Sequence, residues 1–278
     1  MPIVKKQRHN AIAAPKKIIS SPGFIWQLGQ HRLMCGDSTD VTQVKQLMVN
    51  EDEKADLAFT DPPYNVRYVG SKKERKPLAN DFLTREQYTE FLQRLIASHK
   101  AVLKRGASFY LCYASSNHRE CQAALESNDF IIRNQIVWAK NHFVVSAARY
   151  KSKHEMIFYC HLKDERDPWY GGTKQTTVWE IPKHSANRWH PTMKPLALIE
   201  KALTNSSKTD DVILDLCGGA GSTLIVCEKL KRVARLIEIE PCYVDATIQR
   251  WQDLTDQEAI LLQSNLSFNE LLKQQNTQ

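Results

Sequence analysis

The sequence predicts an α/β fold built on a mostly parallel, doubly wound sheet. Two observations lead to this expectation. Short apolar runs such as "ADLAFT" and "VILDL" are typical of buried strands, and they alternate with amphipathic stretches of helical period. The length of 278 residues is sufficient for one large α/β domain or two small ones. Helices on both faces of the sheet would account for the continuous apolar character of the strands.

The first half of the chain supplies most of the predicted strands. "HRLMCGDST" predicts a short strand and turn, and "ADLAFTD" predicts a fully buried strand. Thr84 and Gln87 form a capping-box pattern that begins a helix. The apolar face of this helix consists of Tyr88, Phe91, Leu92, Leu95, Ile96, His99 and Val102. "ASFYLCYA", "RNQIVWAK" and "HEMIFYCHL" predict three further strands, and a helix over about residues 117–127 follows the first of them.

The second half resumes a regular alternation after an irregular segment. "KPLALIEKALTNSS" predicts a helix, "VILDLC" a strand, "STLIVCEKLKR" a helix, "VARLIEI" a strand and "CYVDATIQRWQDL" a helix. We expect a flexible basic arm over residues 1–21, a single domain over 22–263 and a polar tail over 264–278. Residues 163–189 combine a Gly-Gly pair with three tryptophans and lack a helical period, which indicates a functional insert.

Composition and charge limit the class of protein. The formal net charge is +7, and the basic clusters are interleaved with aromatic residues, which favours a polyanionic partner such as nucleic acid. No apolar run reaches the length of a membrane span, and no secretory signal is recognisable, so we expect a cytoplasmic protein. The seven cysteines are scattered without a CxxC pair, and no metal-ligand set is apparent.

A glycine-rich turn lies between a predicted strand and helix, in "VILDLCGGAGSTLIVCEKL". Glycine permits positive φ and a close approach of the backbone to a ligand, and the helix that begins near Ser222 directs free amides into the turn. Glu238 ends the next strand about 20 residues later, where a carboxylate can hold ribose hydroxyls. The pattern predicts a nucleoside-containing cofactor. An NAD oxidoreductase is disfavoured because Leu224 stands at the third glycine position of that fingerprint.

Several of these segments resemble motifs of one enzyme family. "DLCGGAGST" resembles the motif I loop of S-adenosylmethionine-dependent methyltransferases, and "TDPPYN" resembles the motif IV active site of DNA amino-methyltransferases. "MCGDST", "KHEMIFYC" and "HPTMKPLALIEKAL" resemble motifs III, VIII and X. The active-site motif precedes the cofactor loop, an order that resembles the β class, in bacterial and phage modification methylases. Cys217 departs from the pattern, because the family commonly has Phe or another large residue there.

The resemblance implies a Rossmann-like fold, S-adenosylmethionine as cofactor and a catalytic segment of Asp61, Pro62, Pro63 and Tyr64. Asp61 and the Pro62 carbonyl would accept the amine hydrogens of a flipped base, and Tyr64 would stack on that base. Two prolines hold this backbone in one geometry. The same resemblance assigns cofactor binding to Asp37, Thr192, Lys194, Asp215, Gly218, Gly219, Gly221, Ser222 and Glu238, with Thr192 and Lys194 at the methionine carboxylate.

The favoured activity is transfer of a methyl group to N6 of adenine in double-stranded DNA, within a restriction-modification context. N4-cytosine methylation, methylation of an amine in RNA or protein, and nucleic-acid binding on a catalytically weak scaffold stay open as alternatives. So does a homodimer. The loop 66–80 and the insert 163–189, with Trp169, Tyr170 and Trp179, are candidates for DNA contact, although tryptophans that simply pack a loop onto the core fit equally well. His190 is similarly open between packing and contact.

Overall fold

The computed structural model describes residues 17–66, 79–143, 149–163, 167–183 and 193–276. The strands are β1 (Ile25–Leu28), β2 (His31–Cys35), β3 (Ala55–Thr60), β4 (Leu103–Tyr113), β5 (Phe130–Ala139), β6 (His154–Leu162), β7 (Val178–Glu180), β8 (Val212–Asp215), β9 (Val233–Glu238), β10 (Ile260–Leu261) and β11 (Leu266–Ser267). The α-helices are α1 (Val41–Leu47), α2 (Arg85–Val102), α3 (His118–Ser127), α4 (Leu196–Ser206), α5 (Ser222–Leu230), α6 (Pro241–Thr255) and α7 (Phe268–Asn276).

All the strands described join one mixed sheet in the order β11-β10-β1-β2-β9-β8-β3-β4-β6-β5-β7. The five central strands, from β2 to β4, are parallel to one another. Strands β1, β10 and β11 pair antiparallel at one side, and β6 reverses direction between β4 and β5 at the other. The predicted parallel, doubly wound arrangement therefore describes the centre of the sheet. Antiparallel pairs flank it on both sides, and β7 joins β5 in parallel at the far edge.

Helices cover both faces of the sheet and divide the core in two. Helices α4, α5 and α6 contribute residues such as Leu203, Leu224 and Trp251 to the hydrophobic cluster on one face. Helices α1, α2 and α3 contribute residues such as Leu47 and Leu95 to the cluster on the opposite face. This arrangement leaves the carboxyl ends of the central strands at one edge of the sheet, where ligands bind in open α/β sheets.

Local signals explain where the principal helices begin. Thr84 Oγ1 accepts a hydrogen bond from the Gln87 amide at 3.2 Å, and the Gln87 side chain accepts one from the Thr84 amide at 2.9 Å, so the predicted capping box is confirmed. Every residue of the predicted apolar face of α2 is buried. Helix α6 begins with Pro241, whose missing amide hydrogen costs nothing in the first turn.

Both ends of the described chain are more ordered than the sequence predicts. Ile19 and Ser20 fall within the predicted 1–21 arm, yet they are buried and their amides donate to the Asp245 carboxylate at 2.7 and 3.0 Å. The predicted 264–278 tail contains β11 and α7. The two ends also meet, because Lys17 Nζ donates to the Gln275 carbonyl at 2.5 Å. None of the helices in the described ranges combines the length and apolarity needed to cross a bilayer.

Candidate active site

Four neighbouring parallel strands bring most of the predicted functional residues to one edge. Glu238 ends β9, and it pairs in register with Cys35 of β2, just before Asp37. On the other side of β9, strand β8 ends at Asp215 and leads into the glycine-rich turn. Strand β3 lies beside β8 and leads directly into Asp61. The candidate cofactor and catalytic segments are therefore adjacent because their strands are adjacent.

The turn after β8 adopts the positive φ angles that its glycines predict. Gly219 and Gly221 have φ of +52° and +75°, in the left-handed region that favours glycine. The Gly218 amide donates to the Ile237 carbonyl at 2.8 Å, which ties the turn to β9. A Cβ at Gly221 would lie 2.4 Å from Cγ2 of Thr247 in α6. Glycine at 221 is therefore required both by the backbone angle and by the closeness of the neighbouring helix.

Asp215 is buried at the start of the glycine-rich turn and stabilises it through two hydrogen bonds. Its Oδ2 accepts a hydrogen bond from Thr223 Oγ1 at 2.5 Å, and its Oδ1 accepts one from the Cys217 amide at 3.1 Å. Burial raises the pKa of Asp215 to about 7, against the lowering effect of these two donors. The residue thus connects the start of the turn to the first turn of α5.

Glu238 faces the same turn from the end of β9. Its Oε2 accepts from the Gly219 amide at 2.7 Å and its Oε1 from the Glu240 amide at 2.8 Å. Each carboxylate oxygen has two lone pairs, so capacity for two further hydrogen bonds remains. Burial raises the pKa of Glu238 to about 7. Asp37 follows the strand that pairs with β9, and its Oδ1 accepts from the amide and hydroxyl of Thr39, both at 2.8 Å.

Two buried oxygen atoms near this edge lack a hydrogen-bond partner among the described residues. One is the Ser222 hydroxyl, at the beginning of α5, and the other is Oδ1 of Asp61. Buried polar atoms are almost always satisfied in folded proteins, so each exception calls for an explanation. A polar ligand at the carboxyl edge of the sheet would supply the missing partners.

The backbone that follows Asp61 is held on both sides. The Pro63 carbonyl accepts a hydrogen bond from the Tyr88 hydroxyl of α2 at 3.1 Å, and the Tyr64 carbonyl accepts one from the Asn117 side chain. Asn65 takes a positive φ of 51°. The two prolines and these side-chain contacts leave this segment little freedom to move.

Asp61 forms a largely buried ion pair. Its Oδ2 lies 2.6 Å from Nζ of Lys194, and the lysine ammonium also lies 3.0 Å from Oε2 of Glu155. Burial raises the pKa of Asp61, and the Lys194 ammonium opposes that rise. The pKa of Lys194 is raised above its usual value by the two carboxylates, although burial opposes this effect. The ammonium ion therefore stays charged, and it occupies one Asp61 oxygen and leaves the other free.

The motif resemblance places Lys194 at the methionine carboxylate, and the geometry adds two acidic partners to that expectation. An ammonium group can donate three hydrogen bonds, so the contacts with Asp61 and Glu155 leave capacity for a third. Thr192 and His190 lie outside the described residues. Glu155 and its partner Lys140 were not identified as site residues from the sequence, although Glu155 lies in the segment that resembles motif VIII. The sequence signal common to Glu155 and Lys140 is a charged side chain at one end of a predicted strand.

The aromatic residues of the predicted 163–189 insert take different positions. Trp179 lies in β7 and is buried in the core, which fits the packing alternative. Trp169 and Tyr170 are half exposed. Within the described ranges, no group of three or more His, Cys, Asp or Glu side chains could hold a metal ion.

Comparison with solved structures shows a shared fold. The M1.HpyAVI–SAM complex is 21% identical, with a TM-score of 0.62 over 78% of this chain and 97% of that chain. The cytosine-N4-specific PvuII DNA methyltransferase is 17% identical, with a TM-score of 0.65 over 93% of this chain and 94% of that chain. At these identities the likeness concerns the fold, and it agrees with the predicted α/β class.

Comparison of sequences identifies the family. M.HinfI of Haemophilus influenzae is 26% identical over 76% of this chain and 67% of its own length. M.BglII of Bacillus subtilis is 26% identical over 71% of this chain and 64% of its own length. M2.MboI of Moraxella bovis is 26% identical over 74% and 83%. All three are type II methyltransferases. Residues 55–249 match the N6/N4 DNA methylase family, and the chain therefore belongs to that family.

Proposed function

We propose that this protein transfers the methyl group of S-adenosylmethionine to the N6 amino nitrogen of adenine in double-stranded DNA. One observation carries the proposal: the Oδ1 atom of Asp61 is a buried acceptor without a partner among the described residues. It belongs to the Asp-Pro-Pro-Tyr segment, which lies beside the glycine-rich turn. An unpartnered acceptor at this position is suited to a substrate that brings its own donor, such as an amine.

The residues at the glycine-rich turn fit the cofactor. The Glu238 carboxylate retains capacity for the two ribose hydroxyls, and the unpartnered Ser222 hydroxyl offers a donor at the start of α5. Gly218, Gly219 and Gly221 would lie along the methionine portion, Asp37 near the adenosyl end, and Thr192 with Lys194 at the methionine carboxylate. Asp215 would act by shaping the turn. When bound, S-adenosylmethionine supplies an electrophilic methyl group on a sulfonium.

Asp61 and Pro62 would prepare the amine for reaction. The lone pair of an exocyclic amine is delocalised into the base, so the nitrogen must become more tetrahedral before it attacks the methyl group. Asp61 Oδ1 would accept a hydrogen bond from one amine hydrogen and the Pro62 carbonyl from the other, which directs the lone pair toward the methyl group. The nitrogen would gain the methyl group as the bond between that methyl and sulfur breaks, and would then release one proton to solvent. The contacts that Tyr88 and Asn117 make with the following backbone keep these two acceptors in fixed positions, and fixed geometry is what lowers the barrier.

The base must leave the duplex to reach these acceptors, because they lie at the buried edge of the sheet. Tyr64 is half buried beside Asp61, and its ring would stack on the flipped base. Adenine is preferred over cytosine because the segment begins with Asp, as in the adenine branch that the motif resembles. The basic loop 66–80 and the exposed aromatic residues Trp169 and Tyr170 are the proposed elements of DNA contact.

Mass spectrometry of nucleosides tests the proposal directly. The chain is expressed in a host that lacks DNA methylation, and its genomic DNA is digested to nucleosides. We expect N6-methyldeoxyadenosine in the digest. Detection of N4-methyldeoxycytidine instead would change the target base to cytosine and leave the mechanism unchanged. The absence of both products would refute the activity.

A variant of Asp61 separates catalysis from binding. In purified protein, Asp61→Ala should lower kcat by about 100-fold or more, the scale of losing one well-placed electrostatic contact to the transition state. The KM for DNA should change little, because the contact strengthens mainly in the transition state. Asp61→Asn should retain a trace of activity, since its amide oxygen still accepts a hydrogen bond. Full methylation by folded Asp61→Ala would refute the mechanism.

A further inference from the structure

Glu155 is linked to two residues of the candidate catalytic segment, directly to Tyr64 and through Lys194 to Asp61. Its Oε2 lies 3.0 Å from Nζ of Lys194 and accepts a hydrogen bond from the Tyr64 hydroxyl at 3.2 Å. Lys194 in turn lies 2.6 Å from Oδ2 of Asp61. One carboxylate oxygen thus contacts the counter-ion of the proposed amine acceptor and also the ring proposed to stack on the base.

The other oxygen of Glu155 forms an ion pair with Lys140. Oε1 lies 2.6 Å from Nζ of Lys140, whose side chain is 2% exposed. Lys140 follows the end of β5, and Glu155 lies at the beginning of β6, in register with Trp138 of β5. Because β6 runs antiparallel to β4, its first residues reach the same edge of the sheet as the carboxyl ends of the parallel strands. The topology therefore brings Glu155 to the site from a neighbouring strand pair.

The charges of this cluster alternate from one contact to the next. Lys140, Glu155, Lys194 and Asp61 follow one another at 2.6, 3.0 and 2.6 Å. Each charge thus lies beside one of the opposite sign, which offsets part of the cost of burying it. The Lys194 ammonium also lies 5.0 Å from the centre of the Tyr64 ring, so the ring makes a cation–π contact with the ion pair.

This arrangement leaves Asp61 with one engaged and one free oxygen. Lys194 takes Oδ2, and Oδ1 is buried without a partner among the described residues. The attraction of Glu155 draws the Lys194 ammonium to the Oδ2 side of Asp61. Without that second carboxylate, the ammonium could bridge both Asp61 oxygens and occupy the position required by the amine. At the same time the Tyr64 hydroxyl would lose the Glu155 acceptor and be left with the neighbouring Asp61 carboxylate, with which it also interacts, so the ring would be less firmly held.

We propose that Glu155 is a positioning residue for methyl transfer, which holds Lys194 on one oxygen of Asp61 and fixes the Tyr64 ring in its stacking orientation. The inference rests on the proposed function, and it adds a role for a residue on β6 that acts through Lys194 and Tyr64. Its effect is on the rate of the chemical step, because it controls the geometry of the groups that meet the amine.

The test compares Glu155→Gln with a matched control elsewhere in the fold. Glu53 also forms a largely buried ion pair, 2.7 Å from Arg235, and its side chain is 16% exposed, as is that of Glu155. Glu53→Gln should therefore perturb folding to a similar degree without reaching the site. We expect Glu155→Gln to lower the single-turnover rate at saturating S-adenosylmethionine by about 10- to 100-fold, the scale of a misplaced reacting group. The KM for DNA should stay within a few-fold, and Glu53→Gln should transfer at the wild-type rate.

A double variant tests the link with Tyr64. Tyr64→Phe removes only the hydroxyl, so it should slow transfer several-fold in the wild-type background. It should add little in the Glu155→Ala background, because the side chain that accepts the Tyr64 hydroxyl is absent there, whereas a Gln side chain would retain an accepting oxygen. Strictly additive losses would refute the coupling of Tyr64 to Glu155.

Three outcomes would overturn the inference. Wild-type single-turnover rate in Glu155→Gln would exclude a positioning role, and an equal loss in Glu53→Gln would reduce the effect to general destabilisation. If Glu155→Gln and Glu155→Asp both fail to fold while Glu53→Gln folds, Glu155 is a stability residue. A wild-type protein that transfers no methyl group to DNA refutes the proposed function itself, which separates that failure from the failure of this inference.

Discussion

Replacing Gly221 with alanine perturbs the glycine-rich turn in two ways that the structure separates. The backbone at Gly221 has a φ of +75°, and a non-glycine residue in that region costs about 1–2 kcal/mol. The new Cβ would also lie 2.4 Å from Cγ2 and 2.8 Å from Oγ1 of Thr247. Overpacking of this kind adds about 1–3 kcal/mol. The total is about 2–5 kcal/mol, a large part of the roughly 5–15 kcal/mol that stabilises a typical domain.

Gly172 provides a matched control for the backbone contribution. Its φ is +67°, and a Cβ there would meet no atom within 4 Å. Gly172→Ala should therefore lower the free energy of unfolding by about 1–2 kcal/mol only. Urea unfolding of both variants gives the steric contribution by difference, and calorimetry should show weaker S-adenosylmethionine binding for Gly221→Ala alone.

A compensating substitution completes this test. Thr247→Ser removes Cγ2, the closest atom, and retains the hydroxyl that donates to the Gly219 carbonyl at 3.2 Å. Gly221→Ala with Thr247→Ser should recover part of the lost stability but not the backbone contribution. The reasoning is wrong if Gly221→Ala and Gly172→Ala lose equal stability, or if Thr247→Ser brings no recovery in the Gly221→Ala background.

Two further predictions concern the cofactor and DNA. The affinity for S-adenosylmethionine should fall as the pH drops below about 7, because burial raises the pKa of Glu238 to about 7 and protonation removes an acceptor for the ribose. Calorimetry from about pH 6 to 8.5 should show that the affinity of Glu238→Gln depends less steeply on pH, with protonation of Asp215 accounting for the dependence that remains. An unchanged pH dependence would exclude Glu238 as the titrating group. DNA binding should weaken steeply with salt, and alanine at four basic residues of the 66–80 loop should flatten the logarithmic slope by up to about 0.9 for each phosphate that is no longer neutralised. These residues, outside the described ranges, are Lys72, Lys73, Arg75 and Lys76; wild-type slope and affinity in this variant would show that the loop does not contact DNA.

The parts of the site that the sequence predicts are those built from one continuous segment. The glycine-rich turn, Asp61 and Glu238 each follow a strand whose apolar run is visible in the sequence, so local pattern is enough to place them at the edge of a sheet. Whether Lys194 contacts Asp61 cannot be read in this way, because 133 positions separate the two residues. Such a contact depends on strand order and on the position at which α4 begins.

The Glu155 network was missed for the same physical reason. Its role depends on β6 running antiparallel to β4, and neither the direction nor the neighbours of a strand are encoded in its own residues. The tail was missed for a different reason, because a signal was present. Ser267 and Glu270 exchange hydrogen bonds of 2.8 and 3.2 Å, a capping pattern at the start of α7, and the buried Phe268 follows it.

The contact between the first and last parts of the described chain has a consequence for the order of the motifs. Lys17 and Gln275 are in hydrogen-bond contact, so a short linker between these two positions could close the described chain without moving the sheet. Opening the chain instead between α4 and β8, where Lys208 and Asp210 are exposed, would place the glycine-rich turn ahead of Asp61 in sequence. Every strand would keep its neighbours in such a circular permutant. Motif order is therefore a property of where the chain is cut, and the active site depends only on the sheet that both arrangements share.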